Sequence, residues 1–83
     1  MSEAAMMSIY PNPSNGAFSI DFSNIEGDAT YQLIDARGVL VDTREINITS
    51  DETKKFDHKL PAGTYFVRII AGDKVYIEKI IIE

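Results

Sequence analysis

Apolar and polar side chains alternate along most of this chain, and this pattern constrains its fold more than any other feature. Segment 17–22 shows it best, because Phe18, Ile20 and Phe22 share one parity while small or polar residues take the other. Successive side chains of a β-strand point to opposite faces of the sheet, so alternation is typical of a half-buried strand. No window of a dozen residues carries the i, i+3, i+4, i+7 pattern of an amphipathic helix. The sequence therefore predicts an all-β fold.

Seven short strands are predicted, separated by Gly, Pro and Asp turn residues at a spacing of about ten residues. They span residues 7–10, 17–22, 29–35, 39–48, 53–59, 65–71 and 74–82. Asp35-Ala36-Arg37-Gly38 and Gly72-Asp73 are predicted to close hairpins. Leu60-Pro61-Ala62-Gly63 is predicted to form a further turn, with Gly63 in the left-handed conformation. This order favours an antiparallel, immunoglobulin-like β-sandwich of two sheets.

Two of the predicted strands depart from simple alternation. The apolar parity of the fourth strand changes between Val41 and Ile46, which requires a β-bulge or a strand that crosses between the sheets. The fifth strand has Phe56 as its one large apolar residue among charged neighbours, so we expect an edge strand. Four aromatic residues fall on the inward parity and are assigned to the core: Phe18, Phe22, Tyr31 and Tyr65.

A rigid corner follows the first predicted strand, in Tyr10-Pro11-Asn12-Pro13 and onward to Gly16. Two prolines one residue apart fix φ twice and remove two backbone donors, so the chain must change direction here. We interpret this corner as the entrance to the domain. Residues 1–7 are accordingly assigned to a linker or an expression remnant, and residues 8–83 to the domain itself.

The sequence offers no recognisable catalytic, metal or cofactor site. His58 is the only histidine and no nucleophile-elbow sequence accompanies it, so no catalytic residue is predicted. Cysteine is absent, and Asp51-Glu52 lacks the alternating ligands of a calcium loop, so no metal is expected. With 13 acidic against 8 basic side chains the net charge is −5, which opposes nucleic acid as a partner. No apolar run approaches the roughly 18 residues of a transmembrane segment.

Four motifs occur in a fixed order along the chain. They are Tyr10-Pro11-Asn12-Pro13 with Gly16 and Phe18, Asp35-x-x-Gly38, Leu60-Pro61-Ala62-Gly63-Thr64-Tyr65, and Lys79-Ile80-Ile81-Ile82. Over residues 8–82 this order resembles the type A C-terminal sorting domain of the type IX (Por) secretion system. The resemblance implies a non-enzymatic immunoglobulin-like module, fused to the end of a cargo protein, that acts as a secretion signal.

The resemblance also implies partners and a location. The fused N-terminal cargo would already be in the periplasm, and the domain would direct it through the type IX outer-membrane translocon. A sortase-like peptidase would then remove the domain, and the cargo would be secreted or kept at the cell surface. Pro11 and Pro13 would set the angle between the cargo and the sandwich, as a hinge. The other motif residues have structural roles: turns at Gly16, Gly38 and Gly63, and core packing by Leu60 and Tyr65.

Recognition by the secretion machinery is predicted for the last strand. Lys79 has the parity of Val75, Ile77 and Ile81, so its charge is expected where an apolar side chain would point inward. We assign Lys79 as the first candidate for recognition, with a structural salt bridge as the alternative. Ile80, Ile81 and Ile82 join it as the rest of the terminal motif.

Phe66 and Tyr76 are the aromatic residues predicted to point away from the core. Together with Ile70, Ile80 and Ile82 they are expected to form an exposed apolar patch that binds a partner. An alternative function uses the same two aromatic rings as a sugar-stacking platform, in a carbohydrate-binding or accessory module of an extracellular enzyme.

Overall fold

Seven antiparallel strands in two sheets make up the computed structural model, which describes residues 4–83. The strands are β1 (Met6–Tyr10), β2 (Ala17–Ser23), β3 (Gly27–Asp35), β4 (Leu40–Ile48), β5 (Thr53–Asp57), β6 (Gly63–Ala71) and β7 (Lys74–Ile82). One sheet has the order β1-β2-β5 and the other β4-β3-β6-β7. The predicted all-β, seven-stranded immunoglobulin-like sandwich is confirmed.

The core lies between the inner faces of the two sheets. Phe18, Ile20 and Phe22 project from β2 and are buried, as their parity predicted. From the facing sheet come Tyr31 and Leu33 of β3. The remaining buried apolar side chains of that sheet are Ala29, Ile48, Tyr65, Val67, Ile69, Ile80 and Ile82. Each large apolar side chain buried in this way contributes about 1.5–3 kcal/mol to folding.

A β-bulge explains the parity change of β4. Leu33 pairs with Asp42 and Ile34 pairs with Leu40, so Val41 is the extra residue on β4. The bulge confirms the first of the two predicted explanations. Past the bulge, Asp42 takes an inward position on β4. The middle of this strand is therefore polar, although one of its faces lies against the core.

β5 is an edge strand, as expected from its charged neighbours, and it buries Phe56. It ends at Asp57 and not at Lys59, because the His58 N–H leaves the ladder and donates to the Gly16 carbonyl oxygen at 2.8 Å. The backbone segment that follows the proline corner therefore marks the end of this edge strand.

The predicted hairpin at residues 35–38 is also confirmed. The Asp35 carboxylate accepts hydrogen bonds from the backbone N–H groups of Val39 at 3.0 Å and Arg37 at 2.9 Å. These backbone bonds, the Val39 bond foremost, and the Arg37 guanidinium lower the pKa of Asp35. Gly38 takes the left-handed conformation with a φ of 87°.

The turn before β6 differs from its prediction. Gly63 does not adopt a positive φ; it begins β6 in extended conformation. The turn is held instead by Tyr65, whose phenolic O–H donates to the Pro61 carbonyl oxygen at 2.7 Å. A buried tyrosine bonded to the backbone a few residues upstream is the tyrosine corner of immunoglobulin-like sandwiches.

Candidate functional site

The proline corner is exposed and connects two neighbouring strands of the three-stranded sheet, β1 and β2. β1 precedes it and pairs with β2 from Met6↔Ser23 to Tyr10↔Ser19. The chain therefore enters the sheet through β1, and the predicted position of the corner at the entrance, as a hinge to a cargo, is wrong. The Tyr10–Pro11 and Asn12–Pro13 peptide bonds are both cis.

The side chain of Asn12 joins this corner to the end of the chain. Its amide nitrogen donates to the Lys79 carbonyl oxygen at 2.9 Å, and its amide oxygen accepts from the Ile81 N–H at 2.9 Å. Two backbone hydrogen bonds extend this contact. The Ser14 N–H donates to the Ile81 carbonyl oxygen, and the Glu83 N–H donates to the Ser14 carbonyl oxygen, both at 2.8 Å. The first and last of the four motifs are thus a single hydrogen-bonded unit at the outer edge of β7.

Gly16 is required by the geometry next to this unit. Its φ is +110°, and a Cβ atom there would overlap the His58 carbonyl oxygen. The Gly16 N–H donates to the Ser14 hydroxyl oxygen at 3.0 Å, which holds the turn. The assignment of Gly16 to a turn is confirmed, and the reason is close backbone approach as well as conformation.

The two faces of β7 are opposite to the prediction. Ile80 and Ile82 are 0% and 2% exposed and belong to the core, whereas Val75 and Ile77 are 55% and 57% exposed. Lys79 shares the outward parity, and it forms no ion pair with any residue in the described range 4–83. The expectation that its charge points inward is wrong, and so is the salt-bridge alternative within those residues.

Phe66 and Tyr76 lie on opposite faces of the same sheet. Phe66 points outward, where it pairs in register with Ile34 and with Lys79. Tyr76 is half-buried and packs against the core. The expected patch that combined Phe66 with Tyr76, Ile80 and Ile82 is therefore wrong, and these two rings cannot form one sugar-stacking platform.

The outer face of the four-stranded sheet carries an apolar surface that includes Phe66 and Ile70, as expected, but its members on β7 were predicted to point inward. We call it the outer apolar face. Across β6 and β7 its registered pairs are Phe66↔Lys79, Arg68↔Ile77 and Ile70↔Val75. Its apolar members are Ile34, Leu40, Phe66, Ile70, Val75, Ile77 and Ile81. The signal was present in the sequence, because β6 and β7 have apolar residues on both parities.

His58 lies in an aromatic cluster at one end of the core. Its Nε2 and the Tyr31 hydroxyl are 2.8 Å apart, and its ring stacks near Phe18 with centroids 5.8 Å apart. Asp42 is 3.9 Å from Nδ1, and Arg44 lies over the Tyr31 ring at 5.9 Å from the centroid. Burial, and secondarily Arg44, lower the pKa of His58. The aromatic neighbours of this histidine, Tyr31 and Phe18, are core side chains, which indicates a packing role.

No group of three or more histidine, cysteine or acidic residues suited to a metal ion occurs within residues 4–83. The same part of the chain has no helix that could span a membrane.

Comparisons with known proteins extend these observations. A family model described as the secretion system C-terminal sorting domain matches residues 8–83. The chain is also similar to the ulvan lyase NLR42 of Nonlabens ulvanivorans, with 33% identity over 84 residues. That alignment covers 96% of this chain but 15% of the lyase, so the chain spans a small fraction of this relative.

Proposed function

Because this chain belongs to the family of C-terminal sorting domains of the type IX secretion system, we propose that it directs a covalently fused cargo through the translocon of that system. The observation that carries the proposal is the family match, which extends over residues 8–83. The similarity to 15% of a lyase supports fusion to a larger N-terminal protein. A sorting signal of this kind implies export of the cargo, either into the medium or to the cell surface.

The route and the fate of the domain are part of the proposal. The cargo reaches the periplasm first, and the domain then engages the outer-membrane translocon. A sortase-like peptidase removes the domain afterwards. The domain acts through its surface and performs no chemistry itself, since its best-formed features are hydrogen-bonded structure and an exposed apolar face.

Roles for the terminal motif follow from its geometry. Ile80 and Ile82 are buried and fix β7 in the sandwich, while Lys79 and the half-buried Ile81 face outward. Asn12 bonds the backbone on both sides of Ile80 and sets the position of this segment. We assign recognition to Lys79, Ile81 and the outward Phe66, and presentation of these side chains to Ile80, Ile82 and the proline corner.

A reporter fusion tests the function directly. Residues 1–83 are fused to the C-terminus of a reporter with a signal peptide, in a host that has the type IX system and in the same host without its translocon. We expect the reporter in the medium or on the surface only when the translocon is intact. A reporter without residues 1–83 is the control and should stay in the periplasm. Export of the fusion in the host without the translocon would disprove the proposal.

A further inference from the structure

The outer apolar face is unusual for the solvent side of an antiparallel sheet. Such sheets commonly bury one face and present polar side chains on the other. Here Val75 and Ile77 are more than half exposed, and Phe66 and Ile70 lie beside them on β6. Contiguous exposed apolar surface of this kind marks an interaction site on soluble proteins.

The charged side chains that β6 and β7 contribute to this face have one sign. Among the outward positions of β6 and β7, the charged side chains are Arg68 and Lys79, and both are cations. This is notable in a chain with 13 acidic and 8 basic residues. Arg68 is held over the sheet because its Nε donates to the Gln32 amide oxygen at 2.7 Å. The outward carboxylates of this sheet lie on the other two strands, where Glu45 accepts the Thr30 hydroxyl at 3.0 Å and Asp28 accepts the Asn47 amide at 2.9 Å.

This combination of charge and apolar surface selects the kind of occupant. A symmetric contact with a second copy that is centred on Arg68 and Lys79 would bring like charges together, which costs free energy. An anionic lipid surface would meet a chain whose net charge is −5, and two cations are few for lipid binding. A protein surface with apolar side chains and carboxylates satisfies both features of the face.

We propose that the outer apolar face binds a component of the secretion machinery through a partner surface that combines apolar side chains with carboxylates. This inference rests on the proposed function and adds the face and the chemistry of recognition to it. Ile77 and Val75 supply the apolar contact, and Arg68 and Lys79 pair with the carboxylates. The polar outer face of the three-stranded sheet takes no part.

The chain offers a matched pair of substitutions for the apolar contact. Ile77 is 57% exposed on the outer apolar face, and Ala17 is an exposed apolar residue on the outer side of β2. In the reporter fusion, Ile77→Glu should lower export at least about tenfold, whereas Ala17→Glu should leave it within about twofold. Val75→Glu, at a position 55% exposed, repeats the test if Ile77→Glu impairs folding.

A second pair tests the charge. Lys79 and Lys55 are both exposed, on the outer sides of the four-stranded and the three-stranded sheet respectively. Lys79→Glu should lower export several-fold and Lys79→Arg should retain it, because only the first variant repels carboxylates on the partner. Lys55→Glu should leave export unchanged. Urea unfolding of each purified 83-residue variant checks that the sandwich is intact.

The outcomes separate this inference from the proposed function. If the unaltered fusion is exported through the translocon and folded Ile77→Glu and Lys79→Glu variants are exported equally well, the face is wrong and the function stands. If the unaltered fusion itself is not exported, the proposed function fails. If sedimentation shows that the unaltered chain is a dimer and that Ile77→Glu makes it a monomer, the inference is overturned in favour of a second copy. Binding to anionic phosphatidylglycerol vesicles that Lys79→Glu abolishes would overturn it in favour of lipid.

Discussion

The two sheets of this sandwich share one core but present different outer faces. On the three-stranded sheet, the outward Asp21 accepts hydrogen bonds from the hydroxyls of Tyr10 and Thr53, and Lys55 lies nearby on β5. On the four-stranded sheet, the outward positions of β6 and β7 are mostly apolar. Polar side chains satisfied by one another explain a solvated face, whereas exposed apolar ones do not. The difference indicates that the three-stranded sheet serves mainly to complete the core, while the four-stranded sheet also presents a surface that a partner can bind.

The three-stranded sheet contains a close backbone approach between Gly16, which precedes β2, and His58, which follows β5. Gly16→Ala should have the largest effect, a loss of about 4 kcal/mol or more in the free energy of unfolding. Its Cβ would overlap the His58 carbonyl oxygen, and its φ of +110° is unfavourable for any L side chain. Urea unfolding monitored by circular dichroism measures the change.

Gly72→Ala is the control for conformation alone. Gly72 has a φ of +63° with no atom within 4 Å of a built Cβ, so about 1 kcal/mol is expected. Equal losses for the two variants would mean that the close approach to His58 does not help to hold β2 and β5 together.

The two faces of β7 can be compared with one residue type. Ile80→Ala, at a position 0% exposed, should lower the free energy of unfolding by about 3 kcal/mol, because it leaves a cavity in the core. Ile77→Ala, at a position 57% exposed, should change it by less than about 0.5 kcal/mol. If the two losses were similar, the outer apolar face would be part of a second core and not a free surface.

Asn12 tests how much the corner contributes to the position of β7. Asn12→Ala should cost about 1 to 2 kcal/mol of unfolding free energy, because it removes the hydrogen bonds to Lys79 and Ile81. Asn47→Ala is matched to it, since Asn47 is also exposed and bonds the Asp28 side chain at 2.9 Å. That control should cost less than about 0.5 kcal/mol. Amide hydrogen exchange should show faster exchange at Ile81 in Asn12→Ala alone, and an unchanged Ile81 rate would contradict the role of Asn12.

The smallest effect concerns the inner face, which holds a titratable group. Burial lowers the pKa of His58 below its unfolded value of about 6.5, so the folded state keeps the ring neutral. Stability is then complete above about pH 6.5 and falls as the pH drops below it toward the folded pKa, because the unfolded chain binds the proton first. Arg44 adds to this lowering of the pKa, whereas Asp42 and Asp57 oppose it.

Unfolding free energies measured between about pH 5 and pH 7 check the prediction, since the carboxylates titrate mostly below that window. His58→Gln should flatten the slope there. A slope that is the same with and without His58 would mean that the group responsible lies elsewhere.

Much of the architecture was predictable from local patterns. Segment 17–22 has one apolar and one polar parity, so its inward face followed directly from the alternation. The hairpin at Asp35 followed from turn chemistry, because an aspartate that bonds the next backbone N–H groups and a glycine at positive φ are local requirements. The edge position of β5 followed from the charges around Phe56, and the bulge of β4 from its change of parity.

The face of β7 could not be predicted in the same way. Val75, Ile77 and Ile81 compete with Ile80 and Ile82 for the core, and both sets are equally apolar. A one-residue change of register exchanges the two faces of a strand. The alternation alone therefore does not indicate which face of β7 is buried. The recognition assigned to Lys79 and Phe66 stays a prediction, but both side chains now lie on one outward surface.

The sequence by itself determined the fold class, most strand positions and the turns, because alternation and turn chemistry act between neighbours in the chain. It also carried the ordered motifs by which the family is recognised. Only the tertiary structure decided which side of β7 faces the core and what the proline corner does. Asn12 and Ile81 are 69 positions apart, and a hydrogen bond between them exists only after both sheets have packed. The proline corner therefore contacts the last strand. The outer apolar face lies on the side of the four-stranded sheet that points away from the core.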